Sequence, residues 1–192
     1  KLKTLIRFLW NTDLTNRAGL QNKAAAIAML FNWRGGCRMI DTLRMHWEDL
    51  FTVVNSTGKF LTYNLRNSKG NPTGKRHEMV ALLELDDPIL DVFSLLHKWW
   101  LLNNRPLAGL VFQHRSIEPK TKHFTRSLKR AGWALGWEEK DWPAAHSGRN
   151  SVILFLLKLG VPTDRIRIFM RWAPNSVMPM HYQSTHLECT NV

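Results

Sequence analysis

Residues 143–157 read Pro-Ala-Ala-His-Ser-Gly-Arg-Asn-Ser-Val-Ile-Leu-Phe-Leu-Leu. The stretch changes character halfway. A polar start holding His146 and Arg149 gives way to an apolar run, Val152 to Leu157, far too short to span a bilayer. A helix is expected over 147–159, with Gly160 placed for a left-handed C-terminal cap. His146 and Arg149 stand three residues apart and so share a face at the helix start, where backbone N–H groups already favour an anion.

Downstream, Thr163 or Asp164 can cap a second helix that runs to about Arg171. Ser176 can cap a last short helix carrying Tyr182, with Pro179 tolerable in its first turn. Upstream, Leu20 to Phe31 is rich in Ala, Leu and Met and reads as a helix, broken at Trp33-Arg-Gly-Gly. A further helix is expected from about Arg38 to Leu50, with Met39, Ile40, Leu43 and Trp47 on one buried face. Val53-Val54, residues 59–65 and residues 77–85 read as a three-stranded antiparallel sheet. Its last two strands are joined by the turn formers of residues 66–74. Pro88 is expected to start a helix ending near Asn103-Asn104. Val111-Phe112 is a short apolar stretch, and Phe124 to Leu135 another helix. The expected fold is mostly α with a small antiparallel three-stranded sheet (α+β), as one domain over residues 1–192.

Composition narrows the partners. Lys and Arg number 27 against 15 Asp and Glu, a net charge of +12. Such a chain is suited to a polyanion, with duplex nucleic acid the commonest and an anionic membrane surface the rival. Seven of the basic residues and only one acid, Glu118, fall between Arg105 and Arg130; this stretch is either a solvated face or a contact for a phosphate backbone. No apolar run can cross a membrane, and no secretory signal is readable at Lys1. The two cysteines, Cys37 and Cys189, make neither a disulfide scaffold nor a zinc knuckle, which points to a reducing, intracellular compartment. The eight histidines show no His-x-x-x-His spacing, so neither a metal nor another cofactor is expected.

Breaking a phosphodiester without a metal requires three things: a nucleophile, cationic donors for the non-bridging oxygens, and an acid for the departing 5′-oxygen. Arginine suits the second task, because its planar fork pairs with two phosphate oxygens at once. His146 and Arg149, then Gly160-Val161, then Arg171-Trp172, then Tyr182 resemble, in this order, the tyrosine recombinases, the phage and transposon integrases. Arg149 to Trp172 is 23 residues and Trp172 to Tyr182 is ten, both within that family's range. Trp at 172, in place of His, resembles the Cre-like branch. The upstream segment from Arg34-Gly-Gly-Cys-Arg to Trp47-Glu-Asp-Leu looks like the family's first arginine motif, selecting Arg38 with Asp41 as its support. Lys69 lies in the turn where the family places a lysine, and Lys75 competes with it there. Val111-Phe112-Gln113 resembles the family's Phe-centred strand. The resemblance covers about residues 18 to 185.

The resemblance implies a tyrosine recombinase catalytic-domain fold and a role for each position. Tyr182 would attack the scissile phosphate and form a 3′-phosphotyrosyl link. Arg38 and Arg149 would grip the non-bridging oxygens, and Trp172 would pack against or donate to the same phosphate. Lys69 would protonate the leaving 5′-hydroxyl, and His146 would assist proton transfer. Two nearby guanidinium groups are expected to lower the Tyr182 phenol from its usual ~10. Tyr63, the other tyrosine, reads as packing. Implied partners are double-stranded DNA and further copies of the chain, four to a synapse. The tail 183–192 would dock on a neighbour through Leu187. Telomere resolvases and type IB topoisomerases share the chemistry, and a non-cleaving DNA-binding module is the alternative from another class. Arg171 stands where many relatives have Gly. No counterpart of the family's N-terminal DNA-clamping domain is readable and the first residue is not Met, so the sequence is expected to be the C-terminal part of a longer protein.

Overall fold

The computed structural model describes residues 1–13, 16–66, 78–114, 119–173, 175–179 and 182. Within them run α1 (Leu2–Trp10), α2 (Arg17–Arg34), α3 (Met39–Leu43), β1 (Leu50–Asn55), β2 (Gly58–Leu65), β3 (Glu78–Leu83), α4 (Val92–Leu102), α5 (Thr121–Ala134), α6 (Ser147–Lys158) and α7 (Thr163–Phe169). This is the expected mostly helical α+β arrangement. The sheet is antiparallel in the order β1-β2-β3, with Leu50 opposite Tyr63 and Tyr63 opposite Val80.

Helix α2 is the hub. Asn16 caps it, its Oδ1 accepting the Gly19 N–H at 2.9 Å. From Lys23 to Asn32 every residue is buried, as befits a helix that is apolar or small on all sides. Four of these residues are alanines, which let neighbours approach closely, and α1, α3, α4, α5 and α6 all pack on it. The approach of α6 is the tightest for function. A Cβ added to Gly148 would lie 3.1 Å from Asn32 Cβ and 3.1 Å from the Trp33 nitrogen. Glycine therefore permits the contact that sets the first turn of α6 against the end of α2. Tyr63 of the central strand is fully buried and meets Phe31 edge-on at 5.1 Å, so the sheet closes on the same end of α2.

Several expectations need correction. The helix expected over 38–50 stops at Leu43. The chain then extends, and Met45 O accepts the Val111 N–H (2.9 Å) while Trp47 N–H donates to Gly109 O (2.9 Å). Pairing with residues 109–111 overrides the helical pattern: Ile40 is exposed, and Trp47 opens a 3-10 turn leading into β1. Helix α4 begins at Val92, not Pro88. Asp91 is its cap, accepting from Ser94 N–H and Ser94 Oγ, both at 2.8 Å. Helix α7 is flanked by Pro162, not by Thr163 or Asp164, and ends two residues early at Phe169. Gly160 does take the left-handed conformation (φ 71°) with its N–H on Leu157 O at 2.9 Å. Met178, Pro179 and Tyr182 are helical, and Ser176 Oγ accepts the Met178 N–H at 3.3 Å.

Candidate active site

The site forms where the end of α2, the start of α6 and the end of α7 meet. Arg149 projects from the first turn of α6 and is buried. Its guanidinium donates to Gly36 O and, at 2.8 Å, to Met170 O. One group thus ties the turn after α2 to the residue after α7. Burial, with Arg38 and Arg171 nearby, pulls Arg149 down to about 10, so it remains charged at neutral pH. Arg38 opens α3 and pairs with the buried Asp41 at 3.6 Å. Burial raises the Asp41 carboxyl, while Arg38, Arg149 and Arg171 pull it back. Three arginines therefore crowd one carboxylate, a concentration of positive charge suited to a phosphate.

Trp172 and Tyr182 complete the cluster. Their rings stack at 5.7 Å and 13°, and the Arg149 guanidinium lies 5.9 Å from the Trp172 ring centre. Tyr182 Oη donates to Asn150 Oδ1 at 2.7 Å. The expected lowering of this phenol does not occur. Burial raises it, and Arg149 acts more weakly in the opposite direction. Desolvation of the phenolate outweighs a guanidinium that is already engaged by backbone carbonyls.

The structure therefore brings Arg38, Asp41, Arg149, Trp172 and Tyr182 together. His146 is the residue flanking α6, exposed and one turn before Arg149; its carbonyl accepts the Asn150 N–H at 2.9 Å. Lys69 and Lys75, like the tail beyond Tyr182, lie outside the described residues.

Two participants escaped the sequence. Asn150 carries no motif signal apart from its place beside Arg149. Arg171 adopts a left-handed conformation (φ 54°), which explains a preference for Gly at such a helix end. Its guanidinium returns to Gly35 O (3.0 Å), Gly36 O (3.1 Å) and Cys37 Sγ (3.5 Å). Gly36 itself is left-handed (φ 58°), and a Cβ there would meet Met170 Sδ at 2.8 Å. The Gly35-Gly36 turn is thus an acceptor platform for two arginines.

No family model matches the chain, and no curated protein matches it in sequence. Among solved structures it is similar to XerH site-specific recombinase bound to palindromic difH substrate in a post-cleavage complex. There the TM-score is 0.68 at 14% identity, covering 94% of this chain and 46% of that one. The pre-cleavage XerH complex with difH gives 0.67 at 13%, covering 95% and 48%. The chain therefore has the tyrosine recombinase catalytic-domain fold, and it spans about half the length of those relatives.

Proposed function

We propose that this chain is the catalytic domain of a site-specific DNA recombinase that cleaves and rejoins duplex DNA through Tyr182. The observation that carries the reading is the convergence of Arg38, Arg149, Trp172 and Tyr182 on one turn of α6, from four separate parts of the sequence. In the proposed step, Tyr182 Oη forms a bond to phosphorus and the bond from phosphorus to O5′ breaks. The phenol proton passes by way of His146 or solvent, and Lys69 supplies a proton to O5′. Arg38 and Arg149 stabilise the charge that develops on the non-bridging oxygens. Trp172 holds the Tyr182 ring by stacking and packs against or donates to the same phosphate. Rejoining is the reverse reaction with a different 5′-hydroxyl, so no cofactor is consumed. The positive charge needed at phosphorus comes from side chains in place of a metal ion.

The similar XerH recombinase structures are complexes with difH substrate. For this chain, duplex DNA is supported by the net charge of +12 and by the basic face of α5, where Lys122, Arg126, Lys129 and Arg130 line one groove. Assembly of four copies on two sites, with the tail 183–192 docking on a neighbour, completes the proposal. It places the protein wherever its DNA is held.

Incubation with a nicked duplex, digestion and mass spectrometry of the peptides is the test. The expected product is a nucleotide-bearing peptide containing Tyr182; a nucleotide on any other residue contradicts the assignment. A complex of four copies on two-site DNA separates a recombinase from a resolvase or topoisomerase using the same chemistry.

A further inference from the structure

Resting on the reading of Tyr182 as the nucleophile, we propose that Asn150 is its positioning residue, holding the phenol hydroxyl with its proton attached at the first turn of α6 beside Arg149.

The geometry is specific. Tyr182 Oη donates to Asn150 Oδ1 at 2.7 Å while the ring stacks on Trp172. The ring is fixed in its plane by stacking and along its axis by the hydroxyl. Asn150 follows Arg149 directly and its backbone N–H is tied to His146 O at 2.9 Å. The group that holds the nucleophile therefore moves rigidly with the group proposed to grip the phosphate. Asn150 also lines a cavity of about 500 Å³ with Trp33, Trp142, Pro143 and Ser151, so its amide has open space beside it.

An amide oxygen accepts a hydrogen bond but is no base, so Asn150 keeps the phenol protonated and the proton must leave by another route. Once it has left, rotation of the same amide presents Nδ2, a donor, to the phenolate or to the phosphotyrosyl oxygen. A carboxylate at this position could only accept, and its charge would oppose the phenolate. Burial raises the phenol, and Arg149 pulls it down more weakly.

The test exploits the chain's having only two tyrosines. Tyr63 is fully buried and held well above the ordinary phenol range, chiefly by burial. The earlier phenolate absorbance step in an alkaline titration therefore belongs to Tyr182, an assignment checked with Tyr182→Phe. Asn150→Asp is nearly isosteric. It should move the step to higher pH and slow covalent adduct formation on a nicked duplex by about 10–100-fold, through loss of a held attack geometry. Asn150→Ala removes the acceptor that stabilises the neutral phenol. It should move the step to lower pH and yet also slow adduct formation. A purely structural role would lower the melting temperature and leave the step in place, and that result overturns the proposal. Faster adduct formation in Asn150→Asp overturns it too, because it would make the partner of the hydroxyl a base. If the wild-type chain forms no adduct, the recombinase reading fails while the titration still decides the role of Asn150.

Discussion

The two apolar clusters of this chain are built on different terms. The larger one gathers α1 to α5 and the sheet around α2 and buries large side chains completely, among them Phe31, Tyr63, Trp99, Phe112 and Phe124. The smaller one has Val152, Ile153, Ile166 and Met170 at its centre, with Trp172 and Tyr182 half-buried against it. Around it Phe155, Leu159 and Ile168 remain exposed. Arg38 and Asp41 belong to the first region, while Trp172 and Tyr182 ride on the second. Arg149 and Arg171 join the two through backbone carbonyls of Gly35, Gly36 and Met170. The site is thus assembled across a polar seam. The positioning of Tyr182, the proposed nucleophile, depends more on a few hydrogen bonds than on apolar area.

The largest effect should follow from cutting that seam. On the proposed mechanism, Arg149→Ala should reduce adduct formation by about 10²–10³-fold, because it removes a donor to transition-state charge. It should also cost about 1–3 kcal/mol of stability by leaving Met170 O without its buried partner. Arg149→Lys should not restore activity, since one ammonium cannot reach both Gly36 and Met170 carbonyls in the geometry of a fork. Single-turnover cleavage and thermal melting read both consequences; full activity in the lysine variant would break the comparison.

Next in size is Gly36→Ala. It forces a side chain into a left-handed turn and against Met170 Sδ, at a cost of about 1–3 kcal/mol. Denaturant unfolding measures it, and an unchanged midpoint would mean the turn has slack.

A smaller effect is expected at alkaline pH within the larger cluster. Burial raises the Cys37 thiol and the Tyr63 hydroxyl, which are hydrogen-bonded to each other. The folded state keeps both protons where the unfolded chain loses them, from the ordinary values of 9.0 and 10.0 upward. Stability should therefore be complete below about pH 9 and fall as pH rises beyond it, by up to about 1.4 kcal/mol per pH unit for each group. Melting temperatures from pH 8 to 11 should decline, less steeply in Tyr63→Phe. An equal slope in that variant would assign the decline elsewhere. The smallest effect is at the exposed edge of the second cluster: Phe155→Ser should change the stability of the isolated chain by no more than about 0.5 kcal/mol, as read by the same melting experiment.

Much of this was legible before the structure. The alanine-rich run of α2, the polar-to-apolar change at Ser147 and the left-handed Gly160 are local signals, and local physics decides them; the turn formers expected over residues 66–74 lie, beyond Arg66, outside the described residues. The order of Arg38, Arg149, Trp172 and Tyr182 was legible too, although their meeting required the whole fold. What escaped was non-local. Nothing within residues 38–50 announces that Met45 and Trp47 will pair with residues 109–111 and end a helix. Nothing near Arg171 shows that its guanidinium returns to a glycine turn 135 residues earlier. The phenol of Tyr182 moved opposite to expectation because burial, which the sequence conceals, outweighed the charge beside it.

The central claim is that Tyr182 attacks phosphorus with side chains supplying the charge. It is tested most directly by incubating wild-type chain and Tyr182→Phe with a suicide duplex in excess EDTA and resolving covalent protein–DNA adducts on a denaturing gel. The account predicts an adduct for the wild type in chelator and none for Tyr182→Phe, whose binding to intact duplex is preserved. An adduct that persists in Tyr182→Phe, or cleavage that appears only when magnesium is restored, would contradict it.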